Sequence, residues 1–301
     1  MGVLQENVIF KFVRKKQRAD VEICSSDSSE DLTESEVSRY PSSLIIDGNN
    51  QHNIIRVPED AADGHVLKIV EEWPSTFEKN QYYISTGPVV EFRAREFIAE
   101  KAQSNSIPLL RMHNVKAFRI QWTGTHRKDA HFLLQEGHEK YTSSNKVYVL
   151  LKRFSSKEEK RRLVAGINDP DQFKEQLIGL ENHVNYIGIK NEDMSISEAF
   201  GLAALFNSTF MDRYFRSISG NTQVNATEIR LLKLPKRKQI IQTGETVRKS
   251  RPLNQLIIDE IVHSVLNNTK YAWSTTDLFL FKNQVISRSI QLETPDDYKN
   301  T

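Results

Sequence analysis

Cysteine is nearly missing from this sequence: Cys24 is the one such residue in 301. That excludes a disulfide framework and any cysteine-rich zinc or iron–sulfur centre, and it fits a reducing compartment. Long apolar runs are also missing. The longest, Ala199 to Phe206, falls well short of the roughly 18–20 residues needed to span a bilayer. The start, Met1-Gly2-Val3, reaches Glu6 without the basic and apolar regions of a signal peptide, so the chain reads as soluble and cytoplasmic. Excess charge is missing too, since 41 Lys+Arg face 39 Asp+Glu for a net charge of +2, which rules out a histone-like polycation. The 12 glycines form neither G-x-x-x-x-G-K-[ST] nor G-x-G-x-x-G, so nucleotide hydrolysis has no support. The elbow G-x-S-x-G is absent, and Cys24 has no neighbours that would lower its pKa, which argues against acyl transfer.

What remains is a chain with 38% hydrophobic and 27% charged residues, enough to bury one large core or two smaller ones. Residues 3–13 place Leu4, Val8, Phe10 and Phe12 at even positions, as in a half-buried strand. A chain opening on a strand reads as a piece of something larger, or else pairs with a later strand of its own. Residues 25–38 are rich in Ser, Asp and Glu, the composition of a solvated loop. Leu44-Ile45-Ile46 and Ile54-Ile55-Arg56-Val57, separated by Asp47-Gly48-Asn49-Asn50, read as a hairpin. Val66, Ile69, Val70 and Trp73 share a helix face. Strand-like runs at 107–110, 115–122 and 147–153 alternate with short helices, which points to an α+β fold built on a mixed sheet. The pattern Ser195-Ile196-Ser197-Glu198 is a capping box, and Leu202, Phe206, Phe210 and Tyr214 extend the helix toward Ser219-Gly220. A second amphipathic helix, with Leu256, Ile257, Ile261 and Val265, spans 252–267.

His126, Asp129, His131 and His138 are close in sequence, but their spacing matches no metal motif, and polar surface histidines are the plainer reading. Asp129 with Glu158-Glu159-Lys160 can be fitted to a nuclease pattern, as charged strand ends in many proteins can. Local charge says more. Lys146, Lys152, Arg153, Lys157, Lys160, Arg161 and Arg162 form one basic run, and Arg230, Lys233, Lys236, Arg237, Lys238, Arg248, Lys249 and Arg251 form another. Such runs either neutralise phosphates or are solvated helix faces. Beside them lie amide- and hydroxyl-rich stretches, Glu181-Asn182-His183-Val184-Asn185-Tyr186 and Ser219-Gly220-Asn221-Thr222-Gln223-Val224-Asn225-Ala226-Thr227. Asn and Gln can read adenine edges, and Ser and Thr can bond phosphate oxygens. Equally, Asn225 or Thr227 can cap a helix running through Glu228.

These strings, taken with Val3-Leu4-Gln5-Glu6-Asn7-Val8-Ile9, Ser85-Thr86-Gly87-Pro88-Val89-Val90-Glu91-Phe92-Arg93-Ala94-Arg95, the stretch from Leu151 to Arg162, and Leu205-Phe206-Asn207-Ser208-Thr209, resemble the carboxy-terminal half of bacterial DNA adenine-N6 methyltransferases of restriction–modification systems, notably the group related to the PstI, BsuBI and Eco57I modification enzymes. The resemblance implies a target recognition domain over 41–245, preceded at 1–40 by the end of a methyltransferase domain and followed at 246–301 by a helical segment. It implies duplex DNA as partner, together with a methyltransferase catalytic domain or subunit, or a restriction endonuclease. Arg93, Arg95, Arg153, Lys157, Lys160, Arg161 and Arg162 are then candidate backbone contacts. Asn182, His183, Asn185, Tyr186, Asn221, Thr222, Gln223 and Asn225 are candidate DNA-facing residues. The family's catalytic motif, Asn/Asp-Pro-Pro-Tyr/Phe, and its glycine-rich S-adenosylmethionine loop are absent, and the nearest string is Asn168-Asp169-Pro170-Asp171. No cofactor is therefore expected in this chain, and S-adenosylmethionine belongs to the missing catalytic half. An alternative is an interaction module whose 252–267 helix docks a methyltransferase or nuclease subunit.

Overall fold

A computed structural model describes residues 9–11, 19–24, 37–47, 54–155, 159–220, 222–250 and 253–266. Most of the strand expected at 3–13 and most of the acidic loop lie outside the described residues. The chain divides into two units, Met1–Arg56 and Val57–Thr301.

In the first unit, β1 (Asp20–Cys24) pairs antiparallel with β2 (Val37–Pro41). The short helix α1 (Ser42–Ile45) follows and buries Leu44 and Ile45. The expected hairpin is present as β3 (Ile46–Asp47) against β4 (Ile54–Ile55), with Ile46 opposite Ile55. Leu44 and Ile45 belong to the helix instead of the strand, because both can be buried on its inner side.

The second unit opens with α2 (Ala61–Glu71), capped by Asp60, whose side chain accepts from Asp63 N–H. Val66, Leu67, Ile69 and Val70 are buried along it, the face that the sequence periodicity indicated. A run of strands follows: β5 (Ser75–Thr76), β6 (Tyr82–Thr86), β7 (Ile98–Ala99), β8 (Ser106–Leu110), β9 (Val115–Lys116), β10 (Arg119–Ile120), β11 (Ala130–Leu133), β12 (Thr142–Ser144), β13 (Tyr148–Lys152), β14 (Ala165–Asn168), β15 (Leu177–Leu180) and β16 (Val184–Ile189). One sheet has the order β12-β15-β8-β11-β7, in which β15 and β8 run parallel and the other pairs antiparallel. A second sheet, β14-β13-β16-β6, is antiparallel throughout. The fold class is α+β with a mixed sheet. Ile107 and Leu109 of β8 join a core with Val89, Phe97 and Phe132, while Leu110 joins one with Leu150, Ile178, Leu180 and Val184. Alternation along one strand thus feeds two cores.

Two expectations need correction. Residues 115–122 are not one strand: β9 and β10 fold back on each other, with Phe118 at φ 64 in the turn, where its ring stacks on Phe200 at 6.2 Å. The long helix after Ser195 is two helices, α3 (Ile196–Asn207) and α4 (Thr209–Ile218). Ser208 is extended between them, and its side chain accepts from Met211 N–H, capping α4. The remaining elements are α5 (Ala226–Arg230), β17 (Lys233–Leu234), α6 (Arg237–Lys249) and α7 (Gln255–Leu266). Helices α3 and α6 pack with their backbones nearly touching, since a Cβ on Gly201 would land on the Ile240 carbonyl and one on Gly244 on that of Ser197. The inner side of α7 buries Ile258, Ile261 and Val262, so these apolar residues are used within the second unit.

Candidate nucleic-acid interface

Four segments of the second unit lie side by side beyond the ends of β6, β13 and β16. The turn after Gly87 is held by Asn182 N–H donating to Val89 O at 2.9 Å, and Val89 forms a bridge with Glu181. The next link is Arg153 N–H to His183 O at 2.9 Å, with Arg153 Nη1 also donating to Asn182 O at 2.9 Å. Beyond it, Val224 N–H donates to Arg153 O at 2.7 Å and Ser155 N–H to Thr222 O at 3.0 Å, so Phe154 faces Gln223. A strip results, running from Val89–Arg95 through Glu181–His183 and Arg153–Phe154 to Thr222–Gln223. The first basic run and both polar stretches contribute to this strip only in part, and the 230–251 run contributes no residue to it.

His183 is the fixed point of the strip. Its ring lies edge-on to Phe154 at 5.0 Å, and its Nδ1 is 2.6 Å from Glu181 Oε1. Its own N–H donates to Glu181 Oε2 at 3.0 Å. Burial raises the Glu181 pKa above the ordinary carboxylate value; the His183 N–H and charge oppose the rise, and nearby Glu91 adds to it. The pair leaves the far edge of the imidazole at the surface.

The structure sorts the sequence candidates. Arg93, Arg95, Arg153, Asn182, His183, Thr222 and Gln223 fall on the strip and are exposed or half-buried. Tyr186 is half-buried against Tyr83 and Tyr148, in edge-on contacts at 6.1 and 5.4 Å. Asn225 caps α5, with its N–H directed to Glu228. Lys160 is exposed, and Lys157 and Asn221 lie outside the described residues.

Three candidates need correction. Asn185 is 0% exposed and donates to Val224 O at 2.7 Å. Arg162 is 1% exposed, its guanidinium bonded to Ser155 Oγ and Ser219 O above the Phe215 ring. Arg161 is half-buried and donates to Thr209 Oγ1 at 2.7 Å. The cause is Asp212, whose carboxylate accepts from both Arg162 N–H and Leu163 N–H and so draws this loop onto α4. Burial lowers the pKa of both arginines. In the 230–251 run Arg230 donates to Ile84 O, Lys233 pairs with Glu71, Arg237 with Glu198 and Glu192, and Arg248 donates to Ser197, while Lys236, Lys238 and Lys249 are exposed.

Sequence reasoning missed the basic residues next to the strip. Arg111 Nε lies 2.7 Å from Glu91 Oε1, joining the 88–95 turn to an open hollow of about 540 Å³ lined by Glu91, Arg111, His113, Arg127 and Lys128. Asp129, buried beneath, organises this loop. Its Oδ1 accepts from Asn114 Nδ2 at 2.8 Å and contacts His113 Nε2 at 3.3 Å, while its Oδ2 accepts from Thr123 N–H, Thr123 Oγ1 and Gly124 N–H at 3.0–3.1 Å. Gly124 sits at φ +73, where a side chain would be strained. Burial pushes the Asp129 pKa up, but the hydrogen bonds from Thr123, Asn114 and His113 outweigh it and leave the carboxyl below its ordinary value. Burial lowers the His113 pKa. The signal available in sequence was the dense polar string Thr123-Gly124-Thr125-His126-Arg127-Lys128-Asp129.

The ligand atoms of His113, His126 and Asp129 lie within 4.8 Å of one another, close enough to hold a metal ion in principle. Their chemistry fits one poorly, because both Asp129 oxygens are saturated by donors and His126 Nδ1 accepts from Lys128 N–H at 3.2 Å. Arg111, Arg127 and Lys128 surround the site with positive charge. At the string nearest the catalytic Asn/Asp-Pro-Pro-Tyr/Phe motif, Asn168 is buried against Asn145 and Lys146 O, and Asp169 caps the turn Pro170–Gln172.

Fold and face together define an α+β chain with a polar, basic strip built on strand ends. No family model matches the sequence. The chain is similar to the type II methyltransferase M.BsuBI of Bacillus subtilis, at 34% identity over 273 residues, 89% of this chain and 53% of that protein. It is similar to the type II methyltransferase M.PstI of Providencia stuartii, at 34% identity over 267 residues, 88% of this chain and 52% of that protein. The chain thus spans about half the length of the curated relatives it matches. Among solved structures, the type IIG restriction endonuclease BpuSI superposes with a TM-score of 0.46 at 12% identity, covering 86% of this chain and 36% of that one, too distant a match to support a functional inference. Among the described residues no helix is long and apolar enough to cross a membrane.

Proposed function

We propose that this chain recognises duplex DNA as the target recognition part of an adenine-N6 methyltransferase of a restriction–modification system, working in the cytoplasm. The methyl-transfer chemistry and its S-adenosylmethionine belong to a catalytic domain or subunit that this chain accompanies, and a restriction endonuclease is a further partner of the same system. The observation that carries the reading is the strip from Val89 to Gln223, which gathers Arg93, Arg95, Arg153, Asn182, His183 and Gln223 from distant parts of the sequence. Cations there would hold phosphates while amides and the imidazole reach base edges. The similarity to type II methyltransferases over almost nine-tenths of the chain supports it. The docking alternative has less support, since Ile258, Ile261 and Val262 of α7 are already buried.

Selection from a random duplex library at moderate salt, followed by sequencing of the bound pool, tests the proposal. Enrichment of one short motif is the expected result. A pool that binds without enrichment would reduce the chain to phosphate contacts alone, and no recovered DNA would overturn the reading.

A further inference from the structure

We propose that Arg111, Arg127 and Lys128 form a seat for one DNA backbone phosphate, and that Glu91 occupies Arg111 in the free protein as a stand-in for it; this rests on the duplex-DNA reading above. Arg111 is anchored on one side, where Nη1 donates to Lys128 O at 2.9 Å. On the other, its Nε lies 2.7 Å from Glu91 Oε1 yet has no aligned hydrogen-bond acceptor. The Glu91 side chain is 45% exposed, and an ion pair this open to water holds weakly. A phosphate offers more acceptor oxygens and stronger charge-assisted bonds to the guanidinium.

The seat is rigid before any ligand arrives. Asn114, 0% exposed, ties Arg111 to the loop: its Oδ1 accepts from Arg111 N–H, and its Nδ2 donates to Asp129 Oδ1 and to Gln121 O. Asp129 in turn fixes Thr123 and Gly124, so the exposed residues Arg127 and Lys128 leave the loop at a set place beside the hollow. Little ordering remains to be done on binding. Glu91 also lies on the turn that carries Arg93 and Arg95, so its release from Arg111 would couple the seat to the strip.

The test is binding of duplex DNA by the full chain across a salt series, for wild type and single variants. Glu91→Gln is expected to tighten binding by about three- to tenfold on all sequences, because it removes the internal competitor. Glu100→Gln, an equal loss of negative charge at another exposed position, is expected to change binding by less than about twofold. Arg111→Gln and Arg127→Gln should each weaken binding to all sequences and reduce the salt slope by about one. Arg127 is at the surface, so its variant stays informative if Arg111→Gln perturbs folding. If wild type binds and Glu91→Gln leaves affinity unchanged, or Glu100→Gln gains as much, the stand-in role is overturned while DNA recognition stands. If Arg127→Gln changes neither affinity nor slope, the seat itself is overturned. Absence of binding by wild type would overturn both proposals.

Discussion

Asp129 is one of the most heavily bonded carboxylates in the chain, and its role illustrates how far residue type alone can mislead. In the sequence it stands among histidines and invites a metal or nuclease reading. In the fold its acceptors are consumed by Thr123, Gly124, Asn114 and His113. Asp129→Asn would place an NH₂ group against N–H donors, and a loss of about 2–4 kcal/mol is expected from the unsatisfied groups. Because the folded pKa lies below its ordinary value, the ionised form stabilises the fold above the unfolded pKa of about 3.9, and that contribution disappears as pH falls through the folded value. Thermal melts between pH 2.5 and 7 should therefore show the gap between wild type and Asp129→Asn closing at the acid end. A gap independent of pH would refute the assignment. Arg162 teaches the same lesson. Seven cations in the 146–162 stretch were legible, but not that Asp212, Ser155 and Ser219 would draw Arg162 inside. Those partners lie up to 57 residues away, beyond the reach of a local pattern.

For the secondary-structure elements, local chemistry was legible wherever it was self-contained. Ser195 and Asn225 each cap the helix that their sequence neighbourhood announces, and the apolar runs at 107–110 and 147–153 contain the strands β8 and β13. The break at Ser208 was hidden because Leu202, Phe206, Phe210 and Tyr214 continue in step across it. The β9–β10 hairpin was hidden because its turn uses Phe118 at positive φ instead of glycine. The α3–α6 contact is a pairing that no single helix reveals. Gly201→Ala would improve helix propensity by nearly 1 kcal/mol, yet the Cβ would meet the Ile240 carbonyl. A net loss of about 1–3 kcal/mol in denaturant unfolding is expected. A stabilised variant would show that the two helices are not in that register.

Taken as a whole, the chain is nearly neutral, so any attraction to a polyanion must come from the arrangement of charge. In the 230–251 run Lys233 and Arg237 are paired with carboxylates, while Arg93, Arg95, Arg111, Arg127, Lys128 and Arg153 gather near one strip. If the seat holds one phosphate and Arg93, Arg95 and Arg153 each meet another, the plot of log affinity against log salt should have a slope of roughly −3 to −4. A slope near zero would place the DNA elsewhere or nowhere. The sequence resemblance named strings at 85–95, 182–186 and 219–227, each of which contributes residues to the candidate strip. It could not separate buried from exposed members within them, as Asn185 shows at 0% exposure beside His183 at the surface.

The grip of Asp129 on its loop has one more consequence. It holds the main chain at Thr123 and Gly124 and leaves the Arg127 and Lys128 side chains outside the network. Those two positions work like an interchangeable tip in a fixed socket. Drift there can alter how firmly the protein grips with little risk to folding, which gives a lineage ready access to stronger or weaker binding while the scaffold stays under constraint.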